Sequence, residues 1–158
     1  MPRPPLGKLI LHYWLPAIFW LVAVALFSSK HFSARNTNSL LALLLSALHL
    51  HVTFPTLMLL NYLVRKAAHF SVYALLSALF FRAFRASSRV PRNWRWSWAV
   101  FALLVCLAAA SADEIHQTFV PGRTGTWKDT FLDMLGAGTM QGVILMATNN
   151  RKARVPRI

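Results

Sequence analysis

The sequence predicts an all-α integral membrane protein: a bundle of four transmembrane helices with an extra interfacial or re-entrant segment between the first two. Three observations lead to this fold class. Hydrophobic residues make up 56% of the 158 residues and charged residues 13%, whereas soluble domains are about 25% charged. Apolar residues occur in runs of about 20, the length that a helix needs to cross a hydrocarbon core of ~30 Å. The 17 Lys and Arg residues cluster between these runs.

The net charge of +13 does not indicate a nucleic-acid-binding protein. The basic residues separate apolar runs and form no recognisable nucleic-acid motif. They are better explained as topology signals and as contacts for anionic lipid head groups, so we expect membrane lipids as partners and no nucleic acid. The single cysteine, Cys106, lies within an apolar run and cannot form an intrachain disulfide.

The first apolar run, residues 9–28, predicts the first transmembrane helix. A cleaved signal peptide is the alternative, because Arg3 and Lys8 precede the run. However, Trp20 interrupts the run, and Phe27 occupies a position at which a cleavage site requires a small residue. We therefore expect this helix to be retained.

The second apolar run, residues 39–55, is short for a transmembrane helix. Its length is compatible with a transmembrane span, a re-entrant hairpin or a helix that lies in the membrane interface. Five spans would place the Arg-rich loop 82–97 and the basic C-terminal tail on the outer face, against the positive-inside rule. We therefore predict that residues 39–55 form an interfacial or re-entrant segment.

The other three spans are predicted at about 60–81, 96–114 and 129–148. The first half of the second span carries polar residues at intervals of four, which places them on one face of a helix. These residues are Asn61, Arg65, His69 and Tyr73, with Lys66 beside them.

Basic residues also set the expected orientation. The N-terminal segment, the loop 82–97 and the C-terminal tail are all basic, so four spans with both termini in the cytoplasm satisfy the positive-inside rule. In this topology the start of the second span, the end of the third and the start of the fourth all lie on the external side. Polar residues of three helices can therefore share one layer of the membrane.

The acidic residues concentrate in this layer. The chain has only four, and all lie within residues 111–142. Two close the third span and two open the fourth, with a loop containing Arg123 between them. Carboxylates that served only solubility would be spread along the chain, so their confinement indicates a site. They are Asp113, Glu114, Asp129 and Asp133.

Residues 60–142 carry several motifs in a recognisable order. They are RKAAHF at 65–70 with Tyr73, Asp113-Glu114 with Gln117 and Phe119, Pro121-Gly122-Arg123, and Asp129 with Asp133 and Gly136. Together they resemble the signature of the VanZ-like family. The resemblance implies a small multi-pass protein of the bacterial inner membrane with a role in the cell envelope. The founding member is associated with resistance to the glycopeptide teicoplanin, and no agreed molecular activity comes with the name.

Two positions depart from the family pattern. Asp133 stands where Asn is often found, and Met140 stands where a Gly is often found. The first departure predicts a more acidic site than the family pattern has. The resemblance also implies the ligand class, an amphiphilic glycan, a lipid-linked head group or a glycopeptide antibiotic at the outer leaflet.

Three interpretations of the polar residues remain open. They can form structural ion pairs between helices, because an unpaired charge at bilayer depth is costly. They can bind a polar head group without catalysis, with arginine in bidentate contact with a phosphate. They can also catalyse a reaction, with a histidine and a carboxylate as a general-base pair. The candidate catalytic residues are His69, Asp113 and Glu114, and the candidate substrate-binding residues are Arg65, Lys66, Tyr73, Gln117, Arg123, Asp129 and Asp133.

A cofactor is not required by any of these interpretations. If a divalent cation such as Mg²⁺ or Mn²⁺ binds, its oxygen ligands would come from the acidic residues. That set is Asp113, Glu114, Asp129 and Asp133.

Gly138 and Gly142 form a G-x-x-x-G pair in the fourth span, which permits close contact between helices. We predict that this pair packs inside the bundle rather than between two copies of the chain. The sequence does not otherwise indicate an oligomeric state.

Overall fold

The computed structural model of the protein describes residues 4–27, 34–50, 52–88, 94–119 and 126–153, without the side chains of 34–36 and 151–153. Every regular element within these ranges is a helix, and none of the described residues lies in a strand.

Five helices follow one another in the described part of the chain. They are α1 (Leu6–Phe27, with a π-helical turn at Ile10–Trp14), α2 (Ala34–Ala47), α3 (Phe54–Ser87), α4 (Trp96–Thr118) and α5 (Trp127–Ala153). All except α2 are long and apolar enough to cross a membrane. The predicted fold class is therefore confirmed, with four spans and a shorter apolar helix between the first two.

The helix of the second span is expected from about residue 56 to residue 84, around the span 60–81, and the structure extends it by a few residues at each end. Helix α3 has 34 residues and is therefore about 51 Å long at 1.5 Å per residue, longer than the span alone requires. Pro55 lies in its first turn, where proline is tolerated. The other spans differ from their predicted ranges by a few residues, and residue 28 lies outside the described part of the chain.

Helix α2 ends in a left-handed turn. His49 has a φ of 55°, and the N–H of Leu50 donates to the carbonyl of Leu45 at 2.9 Å. This is the hydrogen bond of a Schellman motif, which usually places glycine at the left-handed position. The predicted segment 39–55 therefore consists of the end of α2, this turn and the start of α3, with residue 51 outside the description.

Two tryptophans fix α1 against α3. The indole N–H of Trp14 donates to the hydroxyl of Ser87 at 3.0 Å, and its ring meets Phe84 edge-on at 5.4 Å between centroids. The indole N–H of Trp20 donates to the carbonyl oxygen of Val72, also at 3.0 Å. Helix α1 therefore runs antiparallel to α3, with its C-terminal half beside the first half of α3.

The centre of the bundle is formed by α3, α4 and α5, and α4 contributes small residues to it. Ala99, Ala102, Cys106 and Ala110 are at most 2% exposed and recur at helical spacing on one face of α4. Small side chains allow helix backbones to approach closely, which is how helices associate in lipid. The end of α4 lies beside the first half of α3 and the start of α5, and we call this the polar end of the bundle.

Gly136 marks the closest approach of α5 to α3. A Cβ atom at this position would collide with the carbonyl oxygen of Phe70 and lie 3.0 Å from its carbonyl carbon. A Cβ at Gly138 or Gly142 would meet nothing within 4 Å. The prediction that the G-x-x-x-G pair packs inside the bundle is therefore wrong, because those positions lie on another side of α5.

Candidate functional site

Polar residues face each other across the contact between α3 and α5. On α3 they continue the interval of four through Arg65, His69, Tyr73 and Ser77. On α5 the same interval joins Asp129, Asp133 and Gln141, with Ala137 between the last two. Residues four apart lie on one face of a helix, so two polar faces meet along several turns.

The outermost contact is an ion pair between Lys66 and Asp129. Their side chains are 30% and 19% exposed, so both are only partly removed from solvent. Asp129 lies in the first turn of α5, where the positive end of the helix dipole stabilises a carboxylate. The ammonium group of Lys66 also lies 5.4 Å from the ring centre of Tyr62. This lysine is held by two neighbours at the edge of the polar end.

The next contact is between His69 and Asp133. Nδ1 of His69 lies 3.1 Å from Oδ1 of Asp133. The imidazole side chain is 22% exposed, whereas the carboxylate is fully buried. The sequence had suggested Asp113 or Glu114 as the partner of this histidine, and the structure pairs it with Asp133 instead.

The two acids at the end of α4 have different partners. Oδ2 of Asp113 accepts a hydrogen bond from the side-chain amide of Gln117 at 2.8 Å. Oε2 of Glu114 accepts one from the backbone N–H of Thr126, directly before α5 begins. Consecutive residues point about 100° apart on a helix, so the two carboxylates face different neighbours. Glu114 joins α4 to the start of α5.

A deeper polar contact was not predicted. The hydroxyl of Ser77 donates to the carbonyl of Ala137 at 3.1 Å, and the amide of Gln141 donates to that hydroxyl at 2.7 Å. Both side chains are buried. The sequence does contain a pattern that indicates this contact, because Ser77 continues the interval of four beyond Tyr73.

A cavity of about 320 Å³ opens at the polar end, between the C-terminal half of α1, the start of α2, the first half of α3 and the end of α4. Its polar lining residues are Arg65, His69, Tyr73 and Asp113, with Thr37 from α2. The rest of the wall is apolar and comes from Val24, Phe27, Val64, Ala68 and Val72. Most of the cavity surface is therefore apolar, and the polar lining residues contribute a small polar side.

A family model described as VanZ/LLP1 matches residues 13–148. The chain belongs to the VanZ/LLP1 family. The matched range includes most of α1, all of α2, α3 and α4, and most of α5, together with every residue that lines the cavity. No curated protein and no solved structure matches the chain.

In this VanZ/LLP1 family member, the predicted site residues fall into three groups. Arg65, His69, Tyr73 and Asp113 line the cavity. The second group lies at the same end of the bundle outside the cavity lining, and the third consists of Arg123, which lies outside the described residues. The members of the second group are Lys66, Glu114, Gln117, Asp129 and Asp133.

Within the described ranges, no group of three or more His, Cys, Asp or Glu side chains is arranged to hold a metal ion. The four carboxylates are engaged separately, by Lys66, His69, Gln117 and the N–H of Thr126. The side chains that line the cavity therefore present a guanidinium, an imidazole, hydroxyl groups and one carboxylate beside an apolar surface.

Proposed function

We propose that this protein binds the polar head group of an amphiphile at the outer leaflet of the bacterial inner membrane. The observation that carries the proposal is the cavity, whose mostly apolar surface also carries a few charged and polar residues at one end of a membrane-spanning bundle. A soluble ligand would not need the apolar side. A purely structural polar cluster would not need a cavity.

The polar side of the cavity offers the permanent cation Arg65 to an anionic head group, while the carboxylate of Asp113 on the same side accepts a hydrogen bond from Gln117. Arg65 can make bidentate contacts with a phosphate or carboxylate. His69 lies one helical turn further along α3 and lines the same space. The apolar side, formed partly by Val64, Ala68 and Val72, suits the chain to which the head group is attached.

The size of the cavity narrows the class of ligand. Sites for small molecules usually have volumes of about 300–1,000 Å³. At about 320 Å³ this cavity holds one head group with the first part of its chain. A lipid-linked head group or one sugar unit of an amphiphilic glycan matches this volume better than a whole glycopeptide antibiotic does.

The basic residues at the other end of the bundle support the proposed orientation. Arg82 and Arg85 lie in the last two turns of α3, and Arg95 directly precedes α4. The positive-inside rule assigns this end to the cytoplasm and the cavity to the outer leaflet. Both termini are then cytoplasmic.

Cysteine labelling tests this orientation with two exposed positions on one helix. Thr118 lies at the polar end of α4, and Ser97 lies at its other end. In a Cys106→Ala background, we expect an impermeant thiol reagent on spheroplasts to label Thr118→Cys and to leave Ser97→Cys unlabelled. Labelling of Ser97→Cys alone would contradict the proposed orientation. Lysed spheroplasts, in which both positions react, are the control for reactivity.

Filling the cavity tests the binding proposal. Ala68 lines the cavity, whereas its neighbour Ala67 does not. We expect Ala68→Phe to reduce binding of phosphatidic acid at least tenfold, equivalent to about 1.4 kcal/mol, because the ring occupies the ligand space. Ala67→Phe adds the same ring outside the cavity and should bind normally. The measurement is lipid titration by native mass spectrometry in detergent.

Two results would contradict the proposal. One is failure of the unmodified protein to bind phosphatidic acid. The other is equal binding by the Ala68→Phe and Ala67→Phe proteins.

A further inference from the structure

We propose that His69 acts as a general base in this cavity and that the protein hydrolyses the phosphate ester of a membrane-embedded lipid. This inference rests on the proposed function, because the reaction takes place on the head group that the cavity binds. It assigns a reaction to the contact between His69 and Asp133.

The geometry of the pair orients the imidazole. Nδ1 of His69 is engaged by Oδ1 of Asp133 at 3.1 Å. Because the carboxylate accepts a hydrogen bond, the proton of the imidazole stays on Nδ1. This is the tautomer of His69 that has a lone pair on Nε2. His69 lines the cavity, so Nε2 is the ring nitrogen left to meet a ligand there. Asp133 is fully buried and is a positioning residue.

A comparison with the neighbouring contacts separates this pair from structural ones. Among the described residues, the polar contacts between α3 and α5 include those of Lys66, His69 and Ser77. Of these three residues, only His69 lines the cavity. Lys66 lies at the edge of the polar end, and Ser77 is buried within the bundle. Of these contacts, only that between His69 and Asp133 combines a fully buried carboxylate with a partner that lines the cavity.

The other lining residues define the substrate class. Arg65 lies one turn before His69 on the same face of α3 and supplies positive charge for a phosphate, while the lining carboxylate of Asp113 is engaged by Gln117. The apolar side, with Val64 and Ala68, accommodates an alkyl chain next to that phosphate. A volume of about 320 Å³ also leaves room for water, which occupies about 30 Å³ per molecule. The matching substrate is a phosphomonoester of an apolar alcohol or of diacylglycerol.

The reaction consumes one water molecule. The water oxygen forms a bond to phosphorus while Nε2 of His69 takes one of its protons. The bond between phosphorus and the lipid oxygen breaks, and the electron pair stays on that oxygen. The imidazolium then returns its proton to the lipid oxygen, which gives a free alcohol, inorganic phosphate and the original histidine.

Phosphatidic acid is the probe for the test, and released inorganic phosphate is the readout. We expect the purified protein in mixed micelles to release phosphate and diacylglycerol. His69→Asn should lower kcat by at least 100-fold, because a positioned base contributes about 10²–10⁴-fold. The asparagine amide nitrogen takes the place of Nδ1 and keeps a donor for Asp133, while Nε2 is removed. Gly138→Ala, at a position facing open space, is the matched control and should retain full activity.

Asp133→Asn tests the positioning role. Its amide favours the wrong tautomer of His69, so kcat should fall by about 100-fold or more while KM for phosphatidic acid stays unchanged. A merely structural role would lower the amount of folded protein and leave kcat per folded molecule unchanged. If the Asp133→Asn protein does not fold, the kcat of the His69→Asn protein still tests the proposed reaction.

The outcomes separate this inference from the binding proposal. Binding of phosphatidic acid without release of phosphate overturns the catalytic assignment and leaves the binding proposal standing. Absence of both binding and release overturns both. Equal release by the unmodified and His69→Asn proteins overturns the assignment of His69.

Discussion

Replacing Gly136 with alanine is expected to give the largest loss of stability of any single-methyl change in α5. The added Cβ would overlap the carbonyl oxygen of Phe70, which belongs to the backbone of α3. A backbone atom cannot move aside as a flexible side chain can, so the two helices must separate. Overpacking of this kind costs about 1–3 kcal/mol or more. The cost is large because α3 and α5 also carry the polar contacts of the site.

Gly138→Ala is the control for this prediction. It makes the same chemical change on the same helix, two residues away, where a Cβ meets nothing within 4 Å. Alanine favours helix over glycine by about 1 kcal/mol, so Gly138→Ala should be neutral or slightly stabilising. Thermal unfolding in detergent, followed by near-ultraviolet circular dichroism or tryptophan fluorescence, measures both variants.

Equal unfolding temperatures for the two glycine variants would contradict the structure at the contact between α3 and α5. An unfolding temperature for Gly136→Ala below that of Gly138→Ala, together with loss of phosphatidic acid binding, is the expected result. The binding loss follows because His69 and Arg65 lie within five residues of Phe70 on α3.

Replacing His69 with leucine is expected to destabilise the protein more than replacing Asp133 with leucine. His69→Leu leaves a fully buried carboxylate without its only hydrogen-bond partner in the described part of the protein. Leaving a buried carboxylate without its partner costs about 3–5 kcal/mol. Asp133→Leu leaves an imidazole, which can remain neutral and is 22% exposed. Its cost should therefore be smaller.

The double variant His69→Leu with Asp133→Leu completes a thermodynamic cycle. Two apolar side chains of similar size replace the pair, so the double variant should be more stable than His69→Leu alone. The fraction of folded protein in detergent and the unfolding temperature are measured for the unmodified protein, the two single variants and the double variant. Additive losses, or a neutral His69→Leu, would show that the two side chains do not depend on each other.

Local features of the sequence predicted the fold class and the position of the polar residues. Hydrophobic runs must match the thickness of a bilayer, and this requirement acts on each helix separately. The interval of four on α3 likewise follows from the geometry of a single helix. For the same reason the acidic residues near 113 and 133 could be assigned to helix ends from the apolar runs that they border.

Contacts between helices could not be assigned in this way. Asp113 and Glu114 are neighbours in the sequence and were therefore expected in one group. The structure places Asp113 at the cavity and Glu114 against the N–H of Thr126. The G-x-x-x-G spacing indicated Gly138 and Gly142 as the close contact, where the structure has Gly136. Each difference depends on how far a helix is rotated about its own axis, and one residue corresponds to about 100°.

The sequence by itself therefore determined four apolar spans, a polar end and the residue types available there. Only the tertiary structure decided that His69 meets Asp133, that Ser77 meets Gln141, and that a cavity opens beside Arg65 rather than beside Lys66. The physical reason is that hydrophobic length and helical period are properties of one segment. Rotation and axial position are set by the fit of side chains between segments, which small residues such as Gly136 and Ala110 control.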